Sequence, residues 1–348
     1  MKILMMGLTP PLEGGSERHI YEISSRLKDV TVLTQSGSDC RKKIEIPVLN
    51  TSSFIRSLSF FISAFIYSIY LVLKPRKEFD LVHIHENLLY FLVPLLKMRY
   101  RVLVTVHGIK GFKFYEKKFL WIFFKSPLML ADGLIAVSKE DQGKLNKFFK
   151  RVTYIPNGVD TSTYSRVSVP IERKITFIGR IHEQKGIKYL LEAFKTIARK
   201  KPDFKLEIIG NDSGMYAQEL KHKFKNEKID WKGFISDRNK IARSLKSAYC
   251  IVLPSLWEGL PLTLFEAMAS GRPVVVSDID AIKSVVEEGD VSFVKSKNSE
   301  DIALRVIELV EDKKKAGAIG KRGATKAKEY DWKFISNQLG KTYISSLK

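Results

Sequence analysis

The sequence predicts an α/β protein made of two doubly wound parallel-sheet domains in series. Three observations carry this. Short, almost wholly apolar runs recur along the 348 residues, helical patterns separate most of them, and a turn-rich polar stretch interrupts the series midway. Strands that are apolar along their whole length belong to sheets covered by helices on both faces, and such sheets are parallel. A chain of this length divides into two domains, each able to bury its own core.

In the first half the pattern predicts strands at residues 2–7, 30–34, 80–85, 101–107, 133–138 and 152–155, with a first helix over 17–28. Pro156-Asn157-Gly158-Val159-Asp160 and a Ser/Thr-rich stretch to Pro170 then read as a linker. The alternation restarts with strands at 174–179, 205–210, 229–233, 249–254, 273–277 and 291–294, and helices at 186–200, 237–247 and 262–270. The expected domains are therefore 1–165 and 170–330, each of Rossmann type, with a last helix at 331–348. Open parallel sheets bind ligands beyond the carboxyl ends of their strands, so the expected site is a cleft where two sets of strand ends face each other.

Composition narrows the class. Hydrophobic residues make up 45% and charged residues 28%, which describes a folded globular chain. The two cysteines, Cys40 and Cys250, are far apart and lack metal-ligand spacing; a disulfide framework is excluded and a reducing cytoplasm expected. The N-terminal Met-Lys-Ile-Leu-Met-Met-Gly-Leu reads as a buried strand, without a signal peptide's cleavage pattern. A formal charge of +21 suits anionic small molecules or an anionic membrane surface. Helix-turn-helix, zinc-finger and RNP-type signatures are missing, so no nucleic-acid partner is expected.

Two segments raise a membrane question. Residues 57–73 carry no charge. About 17 residues is the short limit for crossing a bilayer, so a buried or interfacial helix is the better reading. Residues 110–125 interleave Lys113, Lys117, Lys118 and Lys125 with Phe112, Phe114, Tyr115, Phe119, Trp121, Phe123 and Phe124. Rings at headgroup level beside ammoniums on lipid phosphates would suit a peripheral membrane helix. An ordinary core helix with a solvated basic face fits the segment too, and both readings stay open.

The residues that carry chemistry follow strand ends. Gly14-Gly15-Ser16 follows the first strand and precedes a helix, so backbone N–H groups are free to meet an anion. It is not a GxGxxG, and an ordinary turn fits it equally. Further on, Gly179-Arg180 ends a strand, and Lys185-Gly186 follows before a helix starts. A guanidinium clamps phosphate oxygens in bidentate fashion and a lysine adds a point charge, enough to neutralise a departing diphosphate. Two solvated surface cations are the plainer reading of that pair. In the stretch 253–271, Glu258 falls in a loop, Pro261 suits a first helical turn, and Gly271 stops the helix. N–H groups near Leu262 and Thr263 then point toward a diphosphate, and Glu266 lies about one turn inside.

Together these residues resemble the retaining glycosyltransferases of family 4, which have the GT-B fold of two Rossmann-like domains. The Glu-x7-Glu motif matches Glu258 and Glu266, and Gly-Arg-x4-Lys-Gly matches Gly179, Arg180, Lys185 and Gly186. Gly14-Gly15, Val106-His107-Gly108 and Pro156–Asp160 fall in the family's order, so the resemblance spans nearly the whole chain.

The resemblance implies a role for each matched residue. Arg180 and Lys185 would hold the nucleotide diphosphate, Glu258 the donor sugar and Glu266 the ribose. Gly15 would offer backbone to phosphate, and His107 would sit near the transferred sugar. Phe234 and Ile235, after Gly233, would lie by the base. It also implies a last helix packing back on the first domain, and an acceptor held by that domain. One departure stands out: Asp278-Ile279-Asp280-Ala281 replaces the family's frequent Gly-Gly before a helix expected at 282–287, where Glu287 stands at a position the family often gives to an acid.

The histidines read differently from one another. His83 and His85 share a strand face without a third ligand, which is weak metal evidence, and His83 reads as structural. His85 ends its strand and is a candidate to line the cleft. His107 ends another strand and is taken as functional.

Retention needs either a carboxylate nucleophile or same-face attack on an ion pair. None of the motif carboxylates is an evident nucleophile, and the resemblance implies the second route. It needs no metal and no cofactor beyond the nucleotide sugar, UDP- or GDP-linked. Hexosyl transfer to a glycan or lipid-linked acceptor is the expected activity, in the cytoplasm and peripherally at the inner face of the membrane. A sugar-nucleotide epimerase and a non-catalytic pseudo-glycosyltransferase subunit are the alternatives.

Overall fold

The computed structural model describes residues 1–11, 15–49, 51–108, 125–260 and 262–347. The chain forms two compact units, Met1–Asn157 with Trp332–Lys348, and Gly158–Asp331. The first is a seven-stranded sheet of β1 (Ile3–Met6), β2 (Val30–Gln35), β3 (Lys43–Ile46), β4 (Leu81–Ile84), β5 (Arg101–Val106), β6 (Gly133–Ala136) and β7 (Val152–Tyr154). Its order is β3-β2-β1-β4-β5-β6-β7, with every pair parallel.

The second unit repeats the plan with β8 (Lys174–Ile178), β9 (Lys205–Ile209), β10 (Ile229–Gly233), β11 (Cys250–Leu253), β12 (Val274–Ser277) and β13 (Ser292–Val294). The order is β10-β9-β8-β11-β12-β13, again all parallel. Strand order reverses between β1 and β4 and between β8 and β11. Loops leaving two such neighbours diverge and open a crevice at their carboxyl ends.

Alternate residues of the strands feed two cores. In the second unit Phe177, Ile208 and Val252 face α6 (Ile187–Lys200), which buries Ile187, Leu190, Leu191, Phe194 and Ile197 at helical spacing. Ile251, Leu253 and Val276 face the other way, onto Leu264, Phe265 and Met268 of α9 (Leu262–Ala269). Both cysteines are buried free thiols, and burial pushes that of Cys250 up to about 12. In the first unit α2 (Ser53–Leu73) buries only Phe60, Ala64, Ser68 and Leu71, a narrow stripe of a 21-residue helix.

Three expectations are corrected. The Ser/Thr-rich stretch is not slack linker: Thr161–Ser165 forms α5, with Tyr164 buried and the Asp160 carboxylate accepting from Ser162 N at 3.1 Å. Thr161 N and Oγ1 both donate to Asp331, at 3.1 and 2.5 Å, so the short polar side chains build caps and crosslinks. Strand β3 went unread because it is an edge of four residues whose Lys43 and Glu45 are exposed; the apolar-run criterion finds central strands. The helix after β12 is α10 (Asp280–Lys283), and Glu287 lies beyond it, ion-paired with Arg322 at 3.4 Å.

The last helix, α13 (Trp332–Leu347), belongs to the first unit. Trp332 packs edge-on against His19, with ring centroids 5.5 Å apart, and Tyr343 is fully buried. The Tyr343 hydroxyl lies 2.7 Å from His83 Nδ1, and Thr105 Oγ1 lies 2.8 Å from His83 Nε2, so both ring nitrogens are satisfied. Removing one partner strands a buried nitrogen, which costs about 1–3 kcal/mol. Tyr343→Phe should lower the free energy of unfolding by that amount in a urea titration; an unchanged midpoint and slope would show the hydrogen bond to be dispensable.

Candidate active site

In the second unit two of the predicted residues, Lys185 and Glu258, meet where strand order reverses, while Arg180 and Glu266 make no ion pair with either among the described residues. Arg180 follows β8 directly and is exposed, with no ion pair to any described residue. A short turn, Glu183–Lys185, leads to Gly186 at φ 61°. A Cβ there would stand 1.9 Å from the carbonyl oxygen of Pro254, so only glycine lets this loop lie against the end of β11. Leu256 N donates to the Gln184 carbonyl at 2.8 Å, and Gln184 Nε2 to the Trp257 carbonyl at 3.0 Å.

This seam brings Lys185 to Glu258. Lys185 Nζ is 2.5 Å from Glu258 Oε1, and both side chains are largely buried. Ser255 Oγ donates to the same oxygen at 2.7 Å, while Gln184 Nε2 lies 3.4 Å from Oε2. The carboxylate is thereby fixed in direction. Glu266, buried on α9, accepts from Arg238 Nη2 at 2.6 Å. Arg238 opens α8 (Arg238–Ser247). Sequence reasoning missed Gln184, Ser255 and Arg238; Gln184 and Ser255 flank motif residues, whereas Arg238 lies 28 positions from Glu266 and has no local signal. Leu262 and Thr263 occupy the first turn of α9, half-buried; Pro261 lies outside the described residues. After β10 the chain turns at Gly233, φ 66°, leaving Phe234 53% exposed and Ile235 half-buried.

In the first unit Gly14 and residues 110–124 lie outside the described residues. Lys125 Nζ stands 4.8 Å from the Phe148 ring centroid. Gly15 begins α1 (Gly15–Arg26), which packs His19 and Ile20 inward. His19, His83, His85 and His107 form one cluster at the carboxyl ends of β4 and β5. Ring centroids are 5.1 Å apart for His19–His107, 5.4 Å for His19–His85 and 5.3 Å for His85–His107. No group of three or more His, Cys, Asp or Glu among the described residues is arranged to hold a metal ion.

His85 is buried, at 2% exposure, so it backs His107 and presents no open lining. Its Nδ1 lies 3.0 Å from His107 Nε2, and its own Nε2 is buried without a partner. A stranded N–H is rarer in folded proteins than an under-used acceptor. His85 therefore carries its proton on Nδ1 and donates to His107, which leaves the half-buried His107 with its proton on Nδ1. Neutral His107 thus has only Nδ1–H to offer beyond the cluster, a donor. His19 Nδ1 bonds to Asn157 Oδ1 at 2.8 Å, anchoring the last residue of the unit's main segment.

Loss of solvation dominates the cluster's titration. Burial holds His19 down at about 4, against a smaller opposing effect of Asn157, and His83 at about 3, aided by nearby His19. His85 and His107 lie well below the usual imidazole value for the same reason, helped by their neighbours. Glu86, next along from His85, goes the other way: desolvation and then the charge of Glu17 push it up to about 7. It is a proton-exchanging group that sequence reasoning passed over, although an acid directly after a strand-end histidine was visible.

Between the folded values and 6.5, the unfolded chain takes up protons that the folded imidazoles refuse. Stability from the cluster is complete above about pH 6.5 and is lost as pH falls, by at most about 1.4 kcal/mol per pH unit for each histidine. Glu86 opposes this with a single group. Denaturant titrations at about pH 7.5 and 5.5 should show a net loss on acidification; a flat or rising stability would contradict four neutral imidazoles in the folded state.

Two family descriptions match the chain in series: Glycosyltransferase Family 4 over residues 13–163, and Glycosyl transferases group 1 over residues 166–326. An uncharacterised glycosyltransferase of Methanocaldococcus jannaschii is 26% identical over 358 residues, covering 99% of this chain and 98% of its own. The UDP-Gal:alpha-D-GlcNAc-diphosphoundecaprenol alpha-1,3-galactosyltransferase of Escherichia coli is 28% identical over 321 residues, covering 84% and 81%. Among solved structures, sucrose-phosphate synthase of Thermosynechococcus elongatus superposes with a TM-score of 0.80 at 20% identity, covering 99% of this chain and 98% of that one. The two family matches together take in nearly the whole sequence, and the protein belongs to the family 4, group 1 glycosyltransferases, transferase enzymes of the GT-B fold that act on nucleotide sugars.

Proposed function

We propose that the enzyme retains anomeric configuration while moving a sugar from a UDP- or GDP-linked donor to a lipid-linked acceptor, without a metal. One observation carries the reading: Lys185 is paired with an oriented Glu258 at the β8/β11 switch point, on the same loop that carries the exposed Arg180. An ammonium has three donors, and Lys185 uses one on Glu258, which leaves two for a diphosphate. With the exposed Arg180 guanidinium it neutralises the charge that builds on the leaving group, the task a divalent ion performs in other sites. Glu266 keeps one oxygen free beside its Arg238 contact for ribose hydroxyls, and the exposed Phe234 ring offers a face to the base.

In this reading the sugar–phosphate bond breaks first, and its electron pair goes to the leaving diphosphate. The acceptor hydroxyl adds from the same face and gives its proton to a leaving phosphate oxygen. His107, a neutral donor, bonds a hydroxyl of the transferred sugar. Arg180→Ala or Lys185→Ala should lower turnover by about a hundredfold or more while the protein stays folded. Proton NMR of the product should show the donor's anomeric configuration, and excess chelator should leave the rate unchanged. Full activity in either variant, inversion, or loss of activity on chelation would each refute the corresponding part.

The lipid-linked acceptor is supported by the E. coli relative, whose name gives a substrate carried on diphosphoundecaprenol, and by α2. Opposite its buried stripe, α2 exposes Phe54, Leu58, Ile62, Phe65, Ile66, Ile69 and Leu73, an apolar face about 30 Å long. The helix is firmly held: Arg99 Nη1 and Nη2 donate to the carbonyls of Val72 and Pro75 at 2.9 and 3.0 Å, and Tyr100 OH donates to that of Leu71 at 3.1 Å. Its exposed face is therefore a settled feature of the fold. Beyond its C-terminus Arg76 and Lys77 are exposed, placing cations where the headgroups of an anionic bilayer would lie. Such a face seats the enzyme at the inner surface of the cell membrane.

The protein should co-sediment with vesicles containing phosphatidylglycerol, less with phosphatidylcholine alone, and Ile62→Glu should abolish the difference. A monodisperse dimer that Ile62→Glu dissociates, with no vesicle binding, would assign the face to a second copy instead.

A further inference from the structure

A cavity of about 560 Å3 opens at the end of the second sheet opposite the donor site, beneath the starts of β8, β9, β11 and β12. Its apolar walls include Phe204, Tyr249 and Pro273, and its charged lining holds four cations against two carboxylates. One carboxylate, Asp203, is taken up by the lining's own Arg173, and the other, Glu172, lies 3.8 Å from Lys174, so neither pairs with Arg272.

Arg272 is the unusual member. It is half-buried, its Nε is wholly buried without a hydrogen-bond partner, and it has no ion pair among the described residues. Its guanidinium is held below its ordinary value by burial alone, with no nearby acid to offset the loss of solvent. Lys246, at the end of α8, is held down by burial and then by the charge of Arg272, and it too lacks an ion pair among the described residues. A half-buried guanidinium without a counter-charge among the described residues is unfavourable in a folded chain, and an arginine cannot relieve this by losing its proton. A bound anion does relieve it, and a guanidinium in a partly apolar cavity is suited to phosphate oxygens.

We propose that this cavity is a second ligand site, separate from the donor site, for a small phosphorylated molecule: the phosphate on Arg272, with Lys201 and Lys313 at the rim, and an apolar or aromatic body against Phe204 and Tyr249. Lys313 is exposed at the start of α12 (Lys313–Lys328), and Lys201 is tethered at 2.8 Å to Glu311 on the end of α11 (Ser299–Glu311). Cations on two sides of the opening thus accompany the deeper arginine. The inference stands independently of the proposed donor chemistry.

The test is calorimetric titration of the whole chain with phenyl phosphate and, separately, inorganic phosphate, each with and without saturating UDP. Phenyl phosphate should bind about tenfold more tightly than inorganic phosphate if the walls take the ring; equal affinities would assign the site to the free anion. Arg272→Met, which keeps the volume and removes the charge, should weaken phenyl phosphate about tenfold or more and melt no lower than the parent. If that variant fails to fold, Lys313→Met, on the exposed rim, should still weaken binding about threefold. No binding to the parent, equal binding by parent and variants, or displacement by UDP would overturn the proposal.

Discussion

With φ at 61°, Gly186 lies so close to the Pro254 carbonyl that a methyl group would overlap it, and the candidate site of the second unit is organised around this contact. It presses the loop after β8 against the loop after β11, the two neighbours between which strand order reverses. Once the loops are seamed, Lys185 has no choice of partner but Glu258, and Ser255 and Gln184 complete that carboxylate's coordination. Arg180 leaves the same strand outside the seam and stays exposed. The result is one cation held at a fixed position by an acid and one exposed without an ion pair among the described residues. Such a pair suits a leaving group whose charge grows during reaction, because little has to reorganise when it appears.

The first unit solves a different problem. Four imidazoles share one desolvated space, and neutrality is what makes this possible: at neutral pH each is uncharged, so the cluster is a packing and hydrogen-bonding unit. It draws four separate stretches of chain together. α1 contributes His19, β4 and β5 contribute the strand-end residues, and α13 closes over them with Trp332 and the Tyr343 hydroxyl. A helix from the end of the sequence is thereby locked to the first unit by polar contacts at least as specific as its apolar ones. The hydrogen bond from His85 sets the proton of His107 on Nδ1, which makes this histidine a hydrogen-bond donor in the fold.

Charge and hydrophobicity are distributed to match. The excess of cations, +21 overall, coexists with a helix that shows solvent an uncharged apolar face. A chain with this composition could have placed lysines on the exposed side of α2 at no cost to its packing, since only Phe60, Ala64, Ser68 and Leu71 are buried. That it did not leaves the outward face of α2 apolar from Phe54 to Leu73.

Much was legible in the sequence. Apolar runs gave twelve of the thirteen strands among the described residues because central parallel strands are apolar on both faces, and the spacing of Glu258 to Glu266 and of Arg180 to Lys185 marked the site because each pair lies within one short stretch of chain. Edge strand β3 escaped because its outward residues are polar, and the stretch after Asp160 misled because serine and threonine build caps as readily as they build slack. What sequence could not supply was partnership over distance. Arg238 on Glu266, Tyr343 on His83, His19 beside His85, and the stranded charge of Arg272 all join residues that no local period relates. Local chemistry and repeat patterns are properties of the chain, so the sequence determined the strands, the motifs and the family. Which side chains lose water together, and hence which are paired, neutral or left uncompensated, is decided only when distant segments share one interior.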